Sequence, residues 1–384
     1  MSNMNFGMDE LVKNAEAYSN DLYSHLVKVI DCKDFSEIDH ICYRVSSVER
    51  YEERKRTLTQ SGSILLSEAY INGRPISCFK LLQPIKVTDD FQIDVLELPA
   101  PKKGIQYKEE FEHIEIVSCK PLESIVSKYS EKIHFDLSNL NVSRNRDISF
   151  NLAESKVKIH EQSISEIIEI EKSEIVSQTE KIAIFDLDDT LIHSKDAFSK
   201  AMMLSLSEFL DQQITIEEFQ KKAKPTFPEL YKEFGIHSHS EISRALNAFQ
   251  NHWKSQSTLM ITGVPSLLSC LRFEGFKIVL WTARDEITSK QTLDSHPELH
   301  SLVDEVFAFD LNQECNKPLP PKELMNIVQG KKSFLCGDSN SDYSGATRLN
   351  TSFFQASWVH SKDIPGKFQI CHSPLDLLEH AMKL

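Results

Sequence analysis

Leu11, Ala15, Leu22, Leu26 and Val29 recur near helical spacing, so the chain opens on an amphipathic helix over 9–30. The run 38–45 then predicts a strand, with His40, Cys42 and Arg44 on one face. A charged helical segment at 48–60 follows, and after it strands near 63–71, 74–83 and 91–98. Asn72-Gly73 is a strong hairpin signal between the first two, and Pro99 and Pro101 close the set. The pattern restarts at Glu112-His113-Ile114, which opens on an acidic residue, His and Ile as Asp39-His40-Ile41 does. A helix near 121–130 and strands near 132–136, 147–152 and 156–161 complete the second series. The expectation is an α+β domain of paired βαβββ units.

Residues 162–180 mix Ile with Glu, Lys and Ser, which predicts a helix, a polar connector and a domain boundary at 173–180. The apolar run 181–185 is a buried strand. From 194 to 258 the pattern is helical, with helices at 194–210, 216–223, 227–234 and 241–253 and no strand. Gly263-Val264-Pro265 starts a further helix, closed at Gly275, and strands follow at 276–281, 305–309 and 333–336. This alternation predicts an α/β doubly wound parallel sheet whose polar residues gather past the carboxyl ends of the strands, where such sheets place ligands. The expected domains are 1–175 and 176–384, the second with a helical insertion at about 194–262.

A chain of 384 residues admits two or three domains. Asp and Glu number 57 against 43 Lys and Arg, a net charge of −14, and no long basic run is present. That argues against a nucleic-acid partner, though not against a small phosphorylated substrate in a local pocket. The eight cysteines, Cys315 among them, form no CxxC pair, so neither a zinc knuckle nor a redox motif is indicated. No apolar stretch is long enough to span a bilayer, and a soluble, cytoplasmic protein is expected.

Candidate chemistry begins directly after the strand at 181–185, where Asp186, Asp188, Asp189 and Thr190 lie within five positions. Carboxylates this crowded repel one another and need a cation. Alternation points Asp186 and Asp188 the same way, with Leu187 turned into the core, so one carboxylate can attack an electrophile while the other handles a proton. Thr282 follows the second strand, Lys317 comes later, and Gly337-Asp338 with Asp342 follows the fourth. In this order the motifs resemble those of the haloacid dehalogenase-like superfamily over 181–384. The resemblance implies a helical cap, Asp186 as nucleophile through an aspartyl-phosphate, and Asp188 as general acid and base. It implies that Thr190 supports the turn and that Thr282 and Lys317 hold phosphoryl oxygens. Mg²⁺ would sit among Asp186, the Asp188 backbone carbonyl, Asp338 and Asp342. Asp189, His193, Arg284 and Asp285 are further candidates to face the substrate.

In the first half, Asp39-His40-Ile41, Ile71-Asn72-Gly73-Arg74-Pro75-Ile76, Leu96-Glu97-Leu98-Pro99-Ala100-Pro101-Lys102, Glu112-His113-Ile114-Glu115 and Val157-Lys158-Ile159-His160-Glu161 are similar to the YecM family over roughly 5–172. That family belongs to the vicinal-oxygen-chelate superfamily, in which first and last strands of each unit supply metal ligands to a cupped sheet. The resemblance implies His40, Glu97, His113 and either His160 or Glu161 as ligands of a transition metal.

The expected function is Mg²⁺-dependent hydrolysis of a phosphomonoester on a small metabolite. A phosphotransferase or mutase would use the same residues. A metal-dependent isomerase, lyase or dioxygenase in the first domain and a non-catalytic phosphometabolite-binding protein are the other readings.

Overall fold

The computed structural model describes residues 7–142, 145–176, 181–222, 224, 227–312 and 316–384. The expected connector at 177–180, the end of the predicted helix at Ala223, and Cys315 lie outside them. The chain divides into two units, Met1–Gln178 and Thr179–Leu384.

The first unit opens on α1 (Met8–Leu26), then runs β1 (Phe35–Tyr43), α2 (Val48–Gln60), β2 (Ile64–Ile71), β3 (Arg74–Lys86) and β4 (Gln92–Pro99). It restarts with β5 (Phe111–Ser118), α3 (Leu122–Tyr129), β6 (Asp147–Leu152) and β7 (Ser155–His160), and ends on α4 (Ile164–Val176). One seven-stranded sheet results, in the order β2-β3-β4-β1-β5-β7-β6. The two opening strands, β1 and β5, pair antiparallel at its centre, and each is flanked by the parallel last strand of its own series. The strand expected at 132–136 supplies only an isolated bridge, Asp136 to Ser149, so the second series is one strand shorter than the first.

One face of the sheet is apolar. Ile41, Phe79, Leu96, Leu98, Ile114, Ile116, Val157 and Ile159 are buried there. Helix α1 packs on β3, β5 and β6, and α2 packs on β2, β3 and β4. Each such side chain withdrawn from water contributes roughly 1.5–3 kcal/mol. The alternate residues face the other way and carry the polar cluster described below.

The second unit starts with β8 (Lys181–Phe185) and β9 (Ile192–His193), followed by α5 (Lys195–Leu210), α6 (Ile216–Lys222), α7 (Phe227–Glu233) and α8 (His239–Trp253). The chain returns through β10 (Leu259–Met260), α9 (Val264–Phe273), β11 (Phe276–Asp285), α10 (Glu286–Ser295), α11 (Pro297–Leu302) and β12 (Glu305–Phe309). Then come α12 (Lys322–Val328), β13 (Ser333–Gly337), α13 (Asn340–Leu349), β14 (Ser352–Ala356), β15 (Gln369–Cys371) and α14 (Pro374–Ala381). Six strands make an all-parallel sheet, β12-β11-β8-β13-β14-β15. Its order reverses between β8 and β13, the switch point where ligands bind in such sheets.

The helices α5–α8 pack around a second core to which β12 adds Phe309, with Phe227 among the rings of Phe198, Phe249 and Phe309. No strand was expected around this insertion. The structure places a two-residue antiparallel ribbon there, β9 with β10, joining its entry to its exit. No helix among the described residues is long and apolar enough to cross a membrane.

Candidate functional site

Register across the parallel sheet brings the expected residues of the second unit together. Phe185 lies opposite both Leu280 and Cys336, so Asp186, Thr282 and Asp338 emerge at the same end of three adjacent strands. Asp186 is fixed by its backbone N–H, which donates to the Cys336 carbonyl at 2.9 Å. Lys317 Nζ donates to Asp186 Oδ1 at 2.7 Å and to the Trp281 carbonyl at 2.9 Å, and it also pairs with Asp342. The Thr190 hydroxyl donates to Asp186 Oδ2 at 3.4 Å. A Cβ at Gly337 would overlap the Asp342 carboxylate, so glycine is needed for that side chain to lie across the strand end. The other Asp342 oxygen caps α13, accepting from the Ser339 N–H at 2.9 Å.

Oxygens of Asp186, Asp338 and Asp342 all lie within 4.8 Å of one another, and all three residues are buried. Burial raises the Asp186 pKa well above the usual carboxylate range despite Lys317, with Asp342, Asp338 and Asp188 adding to the rise. Burial also raises Asp338, against the opposing charge of Lys362, which pairs with it. Three buried carboxylates facing two ammonium groups form an all-oxygen donor set, which fits a hard divalent cation.

Asp188 points the same way but stays partly open, its side chain 36% exposed, while Leu187 is buried as alternation requires. Its carboxylate receives a fork from Arg284: Nε donates to Oδ2 at 3.2 Å, and Nη2 pairs with Oδ1. β11 is longer than the expected 276–281 and carries Thr282 and Arg284 within it. The Thr282 hydroxyl oxygen accepts from the Arg284 N–H at 3.1 Å, which leaves its own hydrogen to donate. Arg284 and Asp285, weighed above as substrate contacts, are buried and already bonded. Arg284 Nη1 donates to Thr292 at 3.1 Å and its guanidinium lies over the Trp253 ring. Asp285 caps α10 and accepts from Gln250. Asp189 adopts a left-handed backbone with φ 54° and accepts from the Ser194 N–H, which turns the chain toward the helical insertion. His193 is exposed in the ribbon.

On the polar face of the first unit, His40, Glu97, His113 and His160 come from the four adjacent strands β1, β4, β5 and β7. They meet at a residue not nominated above, Glu115. Its Oε1 lies 3.3 Å from His40 Nε2 and 3.1 Å from His113 Nε2, and it also pairs with His160 and Lys158. Glu97 stands further off, 3.9 Å from His40 Nε2. His160 rather than Glu161 faces this cluster, since Glu161 instead accepts from the Leu122 N–H at the start of α3.

The repeated acidic-His-Ile sequence gains a physical meaning here. Register shifts lie between Ile38 and His40 on β1, and between Cys42 and Tyr43 on the pairing with β5. Each is a bulge that lets two consecutive residues reach the cup. At one, Asp39 Oδ2 holds His40 Nδ1 at 2.7 Å, and at the other Glu112 Oε2 holds His113 Nδ1 at 2.9 Å. Both imidazoles therefore turn Nε2 inward. Burial alone would lower the His40 pKa, yet Glu115 and Asp39 carry it well above the usual imidazole value. Glu115 is held well below the carboxylate range, because His40, Lys158 and His160 outweigh its burial.

Residues 8–171 match the family model described as YecM protein, and residues 183–356 match that of the haloacid dehalogenase-like hydrolases. An uncharacterized protein of Haemophilus influenzae is 39% identical over 127 residues, which are 31% of this chain and 65% of that protein. Protein YecM of Escherichia coli is 44% identical over 79 residues, 21% of this chain and 41% of its own length. A phosphoglycolate phosphatase of Cereibacter sphaeroides is 26% identical over 217 residues, 52% of this chain and 98% of that protein. The chain thus spans less than two thirds of the length of each of the first two relatives. The chain therefore joins a YecM domain at residues 8–171 to a haloacid dehalogenase-like hydrolase domain at residues 183–356.

Proposed function

We propose that the chain is a phosphatase that hydrolyses a phosphate monoester of a small metabolite in the cytoplasm, using Mg²⁺ and a phosphorylated Asp186. The observation that carries this reading is the convergence of Asp186, Lys317, Asp338 and Asp342 at one strand end, with Asp188 two residues on and partly open. Asp186, Asp338 and Asp342 would hold Mg²⁺, which when bound supplies positive charge to offset the carboxylates and the phosphoryl oxygens. An Asp186 oxygen attacks phosphorus and forms the acyl-phosphate bond as the ester oxygen leaves with a proton from Asp188. Asp188 then takes a proton from water, whose oxygen attacks the phosphorus, and inorganic phosphate and the free Asp186 carboxylate result. Lys317 and the Thr282 hydroxyl donate to the phosphoryl oxygens through both steps. The phosphatase of Cereibacter sphaeroides, matched over nearly its whole length, puts 2-phosphoglycolate first on the substrate panel.

The test is release of inorganic phosphate from such a panel. Asp186→Asn, nearly isosteric but a poor nucleophile, is expected to slow turnover about ten-thousandfold or more. Near-normal turnover by this variant, purified free of wild type, would overturn the assignment.

A second reading concerns the first unit, because both inward imidazoles have a carboxylate on Nδ1. That is the outer-shell arrangement that orients histidine toward a metal. His40, His113 and Glu115 then hold a transition metal, with Glu97 and His160 beside them. Elemental analysis is expected to find a stoichiometric metal that His40→Ala with His113→Ala removes. A folded wild-type chain that stays metal-free after incubation with Zn²⁺, Ni²⁺, Fe²⁺ and Mn²⁺ would eliminate this reading.

A further inference from the structure

Two guanidiniums stand on the same face of the first sheet as the imidazole cluster. Cys78 lies opposite Glu97, Glu97 opposite Cys42, and Cys42 opposite His113, so this row of four shares a face. Alternation along the strands puts Arg44, two residues beyond Cys42, and Arg74, four before Cys78, on that face too. No register shift interrupts β3 between Arg74 and Cys78.

These two side chains are short of partners. Arg74 is only 7% exposed, yet its Nε and Nη1 meet no hydrogen-bond acceptor among the described residues. The same is true of Nε and Nη1 of Arg44, whose Nη2 pairs with Glu112 and whose guanidinium lies over Tyr107. Burial and then the charge of Arg44 lower the pKa of Arg74, as expected of cations that face each other. A buried charge with unfilled donors destabilises a fold unless something arrives to fill them. Space opens on the Arg44 side: a cavity of about 540 Å³ borders Arg44, Glu112, His113, Glu154, Lys156 and Lys158, while Arg74 lies outside its lining.

We propose that Arg44 and Arg74 form a binding site for the carboxylate of a small organic acid, at the edge of the imidazole cluster. Guanidinium N–H groups pair strongly with carboxylates, as Arg44 Nη2 does with Glu112, and Nε and Nη1 of each arginine remain to donate. Charge favours a monoanionic group over a phosphate dianion. His40, Arg44, Arg74, Lys156 and Lys158 are set against Asp39, Glu97, Glu112, Glu115 and Glu154, as many cations as carboxylates, and one further charge disturbs this balance less than two. The site requires neither the phosphatase reading nor a bound metal.

Titration calorimetry of the full chain with propionate, lactate, succinate and inorganic phosphate tests the proposal. At least one carboxylate is expected to bind saturably, with affinity unaffected by Asp186→Asn in the other unit. Arg74→Met is expected to weaken it about thirtyfold or more. Relieved of a buried cation with two unfilled donors, that variant is expected to melt no lower than wild type. Arg74→Lys, which keeps the charge and loses the spread N–H donors, is expected to fold and to bind more weakly. The proposal is overturned if no carboxylate binds, or if phosphate alone binds in a manner dependent on Arg74. Binding that survives both Arg44→Met and Arg74→Met, or a lower melting temperature for Arg74→Met, would equally overturn it.

Discussion

The Asp188 carboxylate has one neighbour that decides where it points. Arg284 forks onto it from β11, bonds Thr292 through Nη1, and lies 3.9 Å beneath the Trp253 ring of α8, whose indole N–H donates to the same threonine. The guanidinium therefore couples the proposed acid and base to the helical insertion. Arg284→Lys retains the charge and loses the fork. Turnover of an alkyl phosphate is expected to fall about ten- to a hundredfold, with a smaller loss for p-nitrophenyl phosphate, whose leaving group needs little protonation. Equal losses on the two substrates would mean that Arg284 does not position the acid. Asp186, Asp188, Asp338 and Asp342 stood out as candidates because each follows closely on an apolar strand, whereas Lys317, eight residues beyond β12, was nominated through the family resemblance. The role of Arg284 was not legible, because its partner Asp188 lies 96 residues away and only the folded sheet pairs them. Glu115 had a local signal, as it sits two residues from His113 on one strand face.

At the scale of elements, the first turn of α2 is tied to the loop before β5. Arg50 donates to Glu109 at 2.7 and 2.8 Å, and Ser46 adds a bond at 2.8 Å. Arg50's hydrogen bonds are the main reason that the Glu109 pKa falls to about 2. A depressed carboxylate stabilises the fold above its unfolded pKa, near 4.3, and the contribution disappears as pH falls toward the folded value. Glu109→Gln is expected to cost about 1 kcal/mol at neutral pH, the pair being partly exposed, and to flatten the loss of stability between about pH 4.5 and 2. Parallel acid melts of wild type and variant would refute this. The ribbon β9–β10 escaped sequence reading because two residues carry no periodicity. The helices and the longer strands, where apolar spacing extends over several turns or alternations, stood close to their expected places. The bridge at Asp136 replaced a strand because the Ser- and Asn-rich stretch after it favours turns over a ladder.

For the molecule as a whole, each unit has a hydrophobic core of its own, Ile41 and Phe79 in one, Ile184 and Leu335 in the other. A ligand that binds only one folded unit should stabilise that unit alone. At about a hundred times its dissociation constant, Mg²⁺ is expected to raise one calorimetric transition by about 5–10 °C and leave the other in place. Asp338→Ala is expected to remove the shift. A wild-type chain whose transitions ignore Mg²⁺ would contradict the cation site. The two-domain plan was expected from the chain's length and the polar connector near 173–180, whereas the meeting of both histidines at Glu115 required the central β1–β5 pairing.

The β9–β10 ribbon makes the helical insertion a cassette. Four residues close both ends of a segment whose aromatic core takes Phe309 from the end of β12. A change between Ser194 and Thr258 leaves that closure in place and meets the Asp188 side of the site through α8, where Trp253 lies over Arg284 and Gln250 donates to Asp285. The segment is thus closed by the ribbon but not separate in effect: α8 is where a sequence change inside it would be felt at the strand ends.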